Sequence, residues 1–245
     1  MKPPIFADSG ILLVDKPSDW TSHDVVNLVK RRFNVDKVGH CGTLDPAATG
    51  LLVIVLGKAT KLSQRLSGEN KVYESTLQLG IETDSQDATG NITAEKEWKH
   101  ITEENIINAL NSFLGKQKQI PPMVSAKKVN GTRLYKLARS GKEVEREPAD
   151  IEIYSIDISK ISMPYIYFTV TCSKGTYIRT LCHDLGKKLD SAGTLYSLRR
   201  TKSGIFDVSN AVTIEKIKEW EQDNLRENLL WIHNLDLVNH LIANN

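Results

Sequence analysis

The sequence predicts an α+β fold, with a mixed, mainly antiparallel sheet core, flanking helices and a basic insertion. Three observations predict it. The 245 residues are 40% hydrophobic and 25% charged, an ordinary globular composition in a chain long enough to bury a sizeable core. Strand-like and helix-like stretches alternate without an internal repeat, and the strands are mostly antiparallel candidates. The net charge is only +2, but it is unevenly spread. Between Lys116 and Arg146 there are nine Lys/Arg against Glu143 and Glu145, a local balance of +7, while residues 212–245 carry a balance of −3. A basic segment on a near-neutral chain reads as a surface facing a polyanion, with a solvated lysine-rich helix face as the alternative.

In order, GILLVDKP (10–17) is a short strand stopped at Lys-Pro. Thr21 and Ser22 offer caps for a helix to about Phe33, with Val25, Val26, Leu28 and Val29 apolar. A glycine-rich loop follows, then the apolar strand at 50–57 and a short helix, ATKLSQRL. VYESTLQLGIET (72–83) reads as one strand with Tyr73, Ser75, Leu77 and Leu79 on a common face. DATGN (87–91) is a turn, and Thr102 caps a helix over 102–113. IPPM (120–123) is not helical, whereas TRLYKLARSGKEV reads as a helix ending at Gly141. Residues 151–159 and 164–172 are strands, the second with Ile166, Phe168, Val170 and Cys172 on one face. Residues 173–189 place Ile178, Leu181, Cys182, Leu185 and Leu189 at helical spacing. Residues 193–206 form a further strand, and Thr213 caps a late helix.

Several function classes drop out. No apolar run approaches the ~18 residues that span a membrane, and the prolines of MKPPIFADSGILL stand where a signal peptide needs its apolar segment. Cys41, Cys172 and Cys182 form no CxxC pair, which suits a reducing, cytoplasmic setting rather than a disulfide framework or zinc knuckle. Gly50 and Gly57-Lys58 are too far apart for a phosphate-binding loop, and Ala59 follows the lysine. No GxGxxG opens a βαβ unit. Ser125-Ala-Lys127-Lys128 matches the short SxxK pattern, but beside IPPM rather than at a helix start. Asp84 and Asp87 lack a third ligand at metal-binding spacing and read as turn residues.

GHCGTLDPAATG (39–50) is the unusual stretch. Its glycines permit close approach of backbone or ligand, and one carboxylate, Asp45, precedes Pro46, where the backbone is pushed extended. From these residues alone, Asp45 is either a turn aspartate bonding its own backbone or a reagent.

GHCGTLDPAATGLLVIVLGKATK closely resembles the signature of the TruB-type tRNA pseudouridine synthases, in their stand-alone bacterial form. LLVDKPSDWTSHDVV, VYESTLQLGIETDSQDATG, IPPMVSAKKVNGTRLYKLARSG, CSKGTYIRTLCHDLG and LYSLRRTKSG resemble the family too, in its order, over roughly residues 10 to 206. Cys41 stands where a threonine is usual, and Ala47 where leucine is common. The resemblance implies the pseudouridine synthase fold and conversion of uridine to pseudouridine at position 55 of the tRNA T-loop. It implies Asp45 as nucleophile, Arg179 as the cation beside that carboxylate, and Tyr73 stacked on the target base. Tyr177 and Leu198 correspond to pocket residues, although both could equally be packing. His40 resembles the residue that fills the space left by the flipped base. The basic segment corresponds to a thumb-like insertion, with Lys127, Lys128 and Arg133 on the RNA; Lys16 is a weaker RNA contact.

The reaction needs neither cofactor nor metal, so none is expected. The expected organisation is a catalytic domain over 1–210, including an insertion at about 116–146. A short acidic helical tail, 211–245, follows in place of a full PUA module. The expected partner is the tRNA T-arm, with no membrane, guide RNA or obligatory protein partner, and the expected state is a monomer. The alternatives are a factor that grips or folds the tRNA elbow without chemistry, or a synthase acting on another RNA.

Overall fold

The structure, a computed structural model, describes residues 9–123, 125, 128–129, 132–133 and 144–231. Along the chain run β1 (Gly10–Lys16), α1 (Ser22–Arg32), β2 (Val38–His40), β3 (Thr49–Leu56), α2 (Ser63–Ser67), β4 (Lys71–Leu79), β5 (Ile81–Thr83), β6 (Ile92–Glu95), α3 (Glu103–Asn111) and β7 (Gly115–Gln119). The short pair β8 (Lys128–Val129) and β9 (Thr132–Arg133) follows, then β10 (Ala149–Ser162), β11 (Tyr165–Cys172) and α4 (Ile178–Lys188). The chain continues through β12 (Gly193–Ser203), β13 (Phe206–Asp207), β14 (Val212–Thr213), α5 (Ile214–Glu219), α6 (Gln222–Asn228) and β15 (Leu230–Trp231). It divides into two compact units, one within residues 1–71 and 199–245, the other within residues 72–198.

In the first unit β3 is central. Its run from Leu51 to Val55 is fully buried, as an uninterrupted apolar strand must be. β1 lies antiparallel to it, from Ile11 opposite Val55 to Lys16 opposite Gly50. On its other side β2 pairs antiparallel, and Arg199 and Arg200 of β12 pair parallel with Thr49 and Gly50. β14 runs parallel to β1, and β15 antiparallel to it. The Thr21 side chain accepts from the backbone N–H of Asp24, whose carboxylate returns to the Thr21 N–H, so α1 starts on a closed capping box. The helix buries Val25, Val26 and Val29.

In the second unit the sheet order is residues 193–198 of β12, then β4, β11, β10 and β7, with neighbouring β10, β11 and β7 antiparallel. Tyr73, Ser75, Leu77 and Leu79 of β4 are buried, the face that their alternation predicts. The stretch 72–83 is not one strand, however. Gly80 takes φ +88, and a Cβ there would lie 2.6 Å from Trp98 Cδ1, so the chain breaks at Gly80 and β5 pairs with β6 instead. α4 begins at Ile178 rather than 173, because Ser173 to Thr176 form a turn in which Thr176 Oγ1 donates to the Ser173 carbonyl. Thr132 and Arg133, expected to open a helix, pair as a strand with Lys128 and Val129; residues 134–143 lie outside the described residues. Among the described residues no helix is long and apolar enough to cross a membrane.

Candidate active site

Asp45 sits partly exposed on the connection between β2 and β3 in the first unit. Three buried side chains hold that connection. Ser22, the first residue of α1, donates its hydroxyl to the Leu44 carbonyl at 3.0 Å and accepts from the Leu44 N–H at 2.9 Å. Lys16 donates from Nζ to the carbonyls of Pro46, Trp20 and Pro17 at 3.1, 2.7 and 2.8 Å. Arg200 donates from Nε to the Leu51 carbonyl at 2.7 Å and from Nη2 to the Gly42 carbonyl at 3.1 Å. The backbone adds Asp19 N–H to Pro46 O (3.0 Å) and Ala48 N–H to Asp45 O (3.1 Å). Gly42 and Gly50 take φ +91 and +98. Gly39 does not need glycine for space, since a Cβ there would meet only Val55 Cγ2 at 3.5 Å.

The electrostatics centre on two buried cations. Burial pushes the Lys16 ammonium down to about 8, and the Asp45 carboxylate is the largest influence pulling it back up. That attraction is mutual, so Lys16 also favours the charged form of Asp45. His40, at the end of β2, is held below the ordinary histidine range by burial first and by the Arg200 charge second. An imidazole kept neutral beside a buried guanidinium suits packing and stacking better than charge pairing.

In the second unit Arg179 is the second residue of α4 and only 3% exposed. Its Nη1 lies 3.6 Å from Asp87 Oδ2 and donates to the Ser85 carbonyl at 3.4 Å. Asp87 is anchored in turn. Its Oδ1 accepts from Ser85 Oγ, Thr89 N–H and Thr89 Oγ1 at 2.8, 3.0 and 2.6 Å. Asp84 closes the same loop by accepting from the Asn91 backbone and side chain at 3.0 and 3.1 Å. Both aspartates are therefore turn residues, and Asp87 is an ion-pair partner besides. Tyr177 precedes α4 and is clamped at both backbone groups by Gln119 of β7: its N–H donates to Oε1 at 2.8 Å, and its carbonyl accepts from Nε2 at 3.0 Å. Tyr73 is buried on β4, and Leu198 is partly exposed on β12.

Of the residues expected from sequence, Asp45, His40 and Lys16 thus belong to the first unit and Tyr73, Tyr177, Arg179 and Leu198 to the second. Lys16 was expected to reach RNA. It is instead fully buried with all three ammonium donors on carbonyls, so it supports the loop from beneath. Lys127 lies outside the described residues, as do the side chains of Lys128 and Arg133. Three residues escaped the sequence reading: Arg200, Asp87 in this pairing role, and Gln119. Arg200 gave no signal in the sequence, since it stands among Arg199, Thr201 and Lys202 and its partners are carbonyls some 150 residues away.

Two family models match. The N-terminal domain of the TruB family pseudouridylate synthases covers residues 30–178, and the C-terminal domain of tRNA pseudouridylate synthase B covers residues 179–236. The chain is 48% identical over 219 residues to the tRNA pseudouridine synthase B of Clostridium tetani, covering 89% of this chain and 75% of that protein. It is 44% identical over 235 residues to that of Geobacter sulfurreducens, covering 96% and 77%. Among solved structures it resembles a chain of a Cbf5–Nop10–Gar1 complex at TM-score 0.69 and 30% identity, over 88% of this chain and 56% of that one. It also resembles a chain of an H/ACA ribonucleoprotein bound to a substrate RNA containing 2′-deoxyuridine, at TM-score 0.65 and 26% identity, over 90% and 58%. The chain therefore spans a little over half the length of these two solved neighbours.

Proposed function

The chain belongs to the TruB family of pseudouridylate synthases, and from that premise we propose that it isomerises uridine to pseudouridine in tRNA, at position 55 of the T-loop, with Asp45 as the nucleophile. The observation that carries this reading is the mount of Asp45. One partly exposed carboxylate stands on a loop fixed at residues 42, 44 and 46 by buried side chains, one of which also holds Leu51 of the following strand, with the Lys16 charge acting on it. A loop of ordinary connecting function has no need of such restraint, whereas a nucleophile must be held within tenths of an ångström of its target.

The reaction breaks the bond from ribose C1′ to uracil N1, turns the base and forms a bond from C1′ to C5. N1 gains a proton and C5 loses one, so atoms and charge balance without an outside group. Asp45 supplies the carboxylate that attacks C1′ or C6 or stabilises the intermediate sugar. Tyr73 stacks on the target base, as any pyrimidine offers a π-face, and Tyr177 and Leu198 line its pocket. Arg179, held rigid by Asp87, serves as the cation for the catalytic carboxylate. Flipping the uridine out of a folded T-loop costs a few kcal/mol. His40 fills the vacated space, and backbone contacts from the +7 segment, Lys127, Lys128 and Arg133 among them, offset the cost. The enzyme acts alone, as a monomer, with no cofactor, guide RNA or protein partner.

The test is to map pseudouridine in an unmodified tRNA transcript after incubation with the protein alone. One modified uridine in the T-loop is expected. Modification elsewhere would move the substrate, and tight binding without product would make the protein a tRNA-gripping factor. Asp45→Asn is expected to abolish conversion while tRNA affinity stays within about three-fold, since one carboxylate contributes little to a phosphate-dominated interface. Substantial turnover by that variant would remove Asp45 from the nucleophile's role.

A further inference from the structure

One buried charge in the first unit takes no part in the chemistry just described. Arg200 is 1% exposed, and both of its hydrogen-bond partners are neutral backbone carbonyls, those of Leu51 and Gly42. We infer that Arg200 is a positioning residue for Asp45: its planar guanidinium ties Gly42 of the loop to Leu51 in the strand that follows it, and so fixes where the carboxylate stands. This inference rests on Asp45 being the nucleophile.

The geometry of the clasp is specific to arginine. Nε and Nη2 are two donors of one rigid, coplanar group, so the carbonyls of Gly42 and Leu51 are held in a fixed relation to each other. A lysine ammonium is a point on a flexible stem and has no such span. The glycines on either side of Asp45 answer to the same residue. Gly50 pairs with Arg200 in parallel register, and a Cβ on Gly50 would lie 2.3 Å from the Arg200 carbonyl oxygen. A Cβ on Gly42 would lie 3.4 Å from Arg200 Nη1. Both glycines also take positive φ, which a side chain would strain. Two shape-giving glycines and one buried cation therefore form a single device.

Stability alone does not account for it. Burying a guanidinium against neutral carbonyls is unfavourable compared with an apolar side chain of similar length, because the desolvation of the charge exceeds what two such hydrogen bonds return. A core residue chosen for stability would be leucine or methionine. What the arginine adds is a fixed loop around Asp45, which lies three residues from Gly42 and six from Leu51.

The test uses Arg200→Lys and Arg200→Met in the full-length protein, with single-turnover rates, Kd and Tm measured on an unmodified tRNA transcript. Arg200→Lys keeps the charge and loses the two-carbonyl span. Its rate should fall about 10–100-fold, the effect of displacing a reacting group by about an ångström, with Kd within about three-fold of wild type. Arg200→Met should fall at least as far. Ile106→Ala, a buried position in α3 of the second unit, gives a control with lowered Tm that should keep the wild-type rate wherever it is folded. Folded Arg200 variants turning over at the wild-type rate would overturn the inference. So would a loss matched by Ile106→Ala at equal Tm, or a loss in rate mirrored by an equal loss in RNA affinity. If Arg200→Met does not fold, Arg200→Lys decides. Asp45→Asn runs alongside: if it is active, the nucleophile reading itself fails; if it is inert while both Arg200 variants are fast, only the clasp fails.

Discussion

Lys16 is a cation out of water with three carbonyls around it, and its pH behaviour follows from that placement. Its folded value of about 8 lies below the ordinary lysine value of 10.5. Between those two values the unfolded chain keeps a proton that the folded chain has released. Stability rises with pH wherever the unfolded state binds more protons, so this group's contribution improves as pH rises from about 8 to 10.5 and is constant below. Comparing Tm for wild type and Lys16→Met at pH 7, 8.5 and 10 should show the difference shifting in favour of wild type across that range. A difference flat from pH 7 to 10 would refute the depressed value. The same residue shows what single positions hide. In the sequence Lys16 ends a strand before proline with Asp15 and Asp19 close by, and reads as an exposed cation able to reach RNA. Its acceptors are main-chain oxygens, which every residue carries, so no residue type marks them. Arg200 is hidden for the same reason, whereas Asp45 stood out because glycine, threonine and proline around it do carry a conformational signature.

The loop from Asp84 to Asn91 and the start of α4 act together through Arg179. Asp87 receives three hydrogen bonds on Oδ1 and leaves Oδ2 to the guanidinium. Asp87→Asn keeps an acceptor for Ser85 and Thr89 and removes the charge facing a 3%-exposed arginine. Asp87 is partly exposed and Arg179 also donates to the Ser85 carbonyl, so removing this charge weakens the anchor of a buried arginine rather than stripping it bare. A loss of about 1–2 kcal/mol in denaturant unfolding is expected, with a fall in single-turnover rate larger than any change in Kd. Stability within about 0.5 kcal/mol of wild type would show that Arg179 draws its support elsewhere. Legibility differed among the elements for physical reasons. α1 and α3 were readable because Thr21 and Thr102 supply side-chain caps followed by apolar residues at helical spacing. β7, GKQKQ, was not, because its inward positions are Gln117 and Gln119, held by hydrogen bonds to Phe113 and Tyr177 rather than by apolar burial. The break at 80 did have a local sign, the glycine itself, which takes a positive φ that ends the strand, whereas the packing of Trp98 against it comes from eighteen residues later.

The first unit is assembled from both ends of the described chain, and its C-terminal part is structural rather than an appendage. Val212 and Thr213 pair with Val14 and Asp15, while Leu230 and Trp231 pair with Ile11 and Gly10, so one edge of β1 is covered twice by residues beyond 210. Ile214, Ile217 and Leu225 are fully buried. Lys218 lies over the Trp20 ring at 5.2 Å, and the Trp20 carbonyl is one of the three that receive Lys16. The segment thus braces the same stretch, residues 16–20, that grips Pro46 beside Asp45. An acidic, helix-like composition gave no hint of this, because the pairing is through backbone groups of two-residue strands too short to show alternation. Each of the three buried side chains contributes about 1.5–3 kcal/mol, together comparable with the 5–15 kcal/mol that holds a typical domain folded. A chain ending at residue 210 should therefore lose its cooperative thermal transition for this unit and, with it, turnover, even though every residue proposed for catalysis is retained. Lys218→Gln removes only the cation over the ring, worth about 0.5–1 kcal/mol, and should lower Tm by no more than about 4 °C. A 210-residue chain that melted within a few degrees of the full-length protein would show that β1 needs no cover on that edge, and that the C-terminal segment braces nothing.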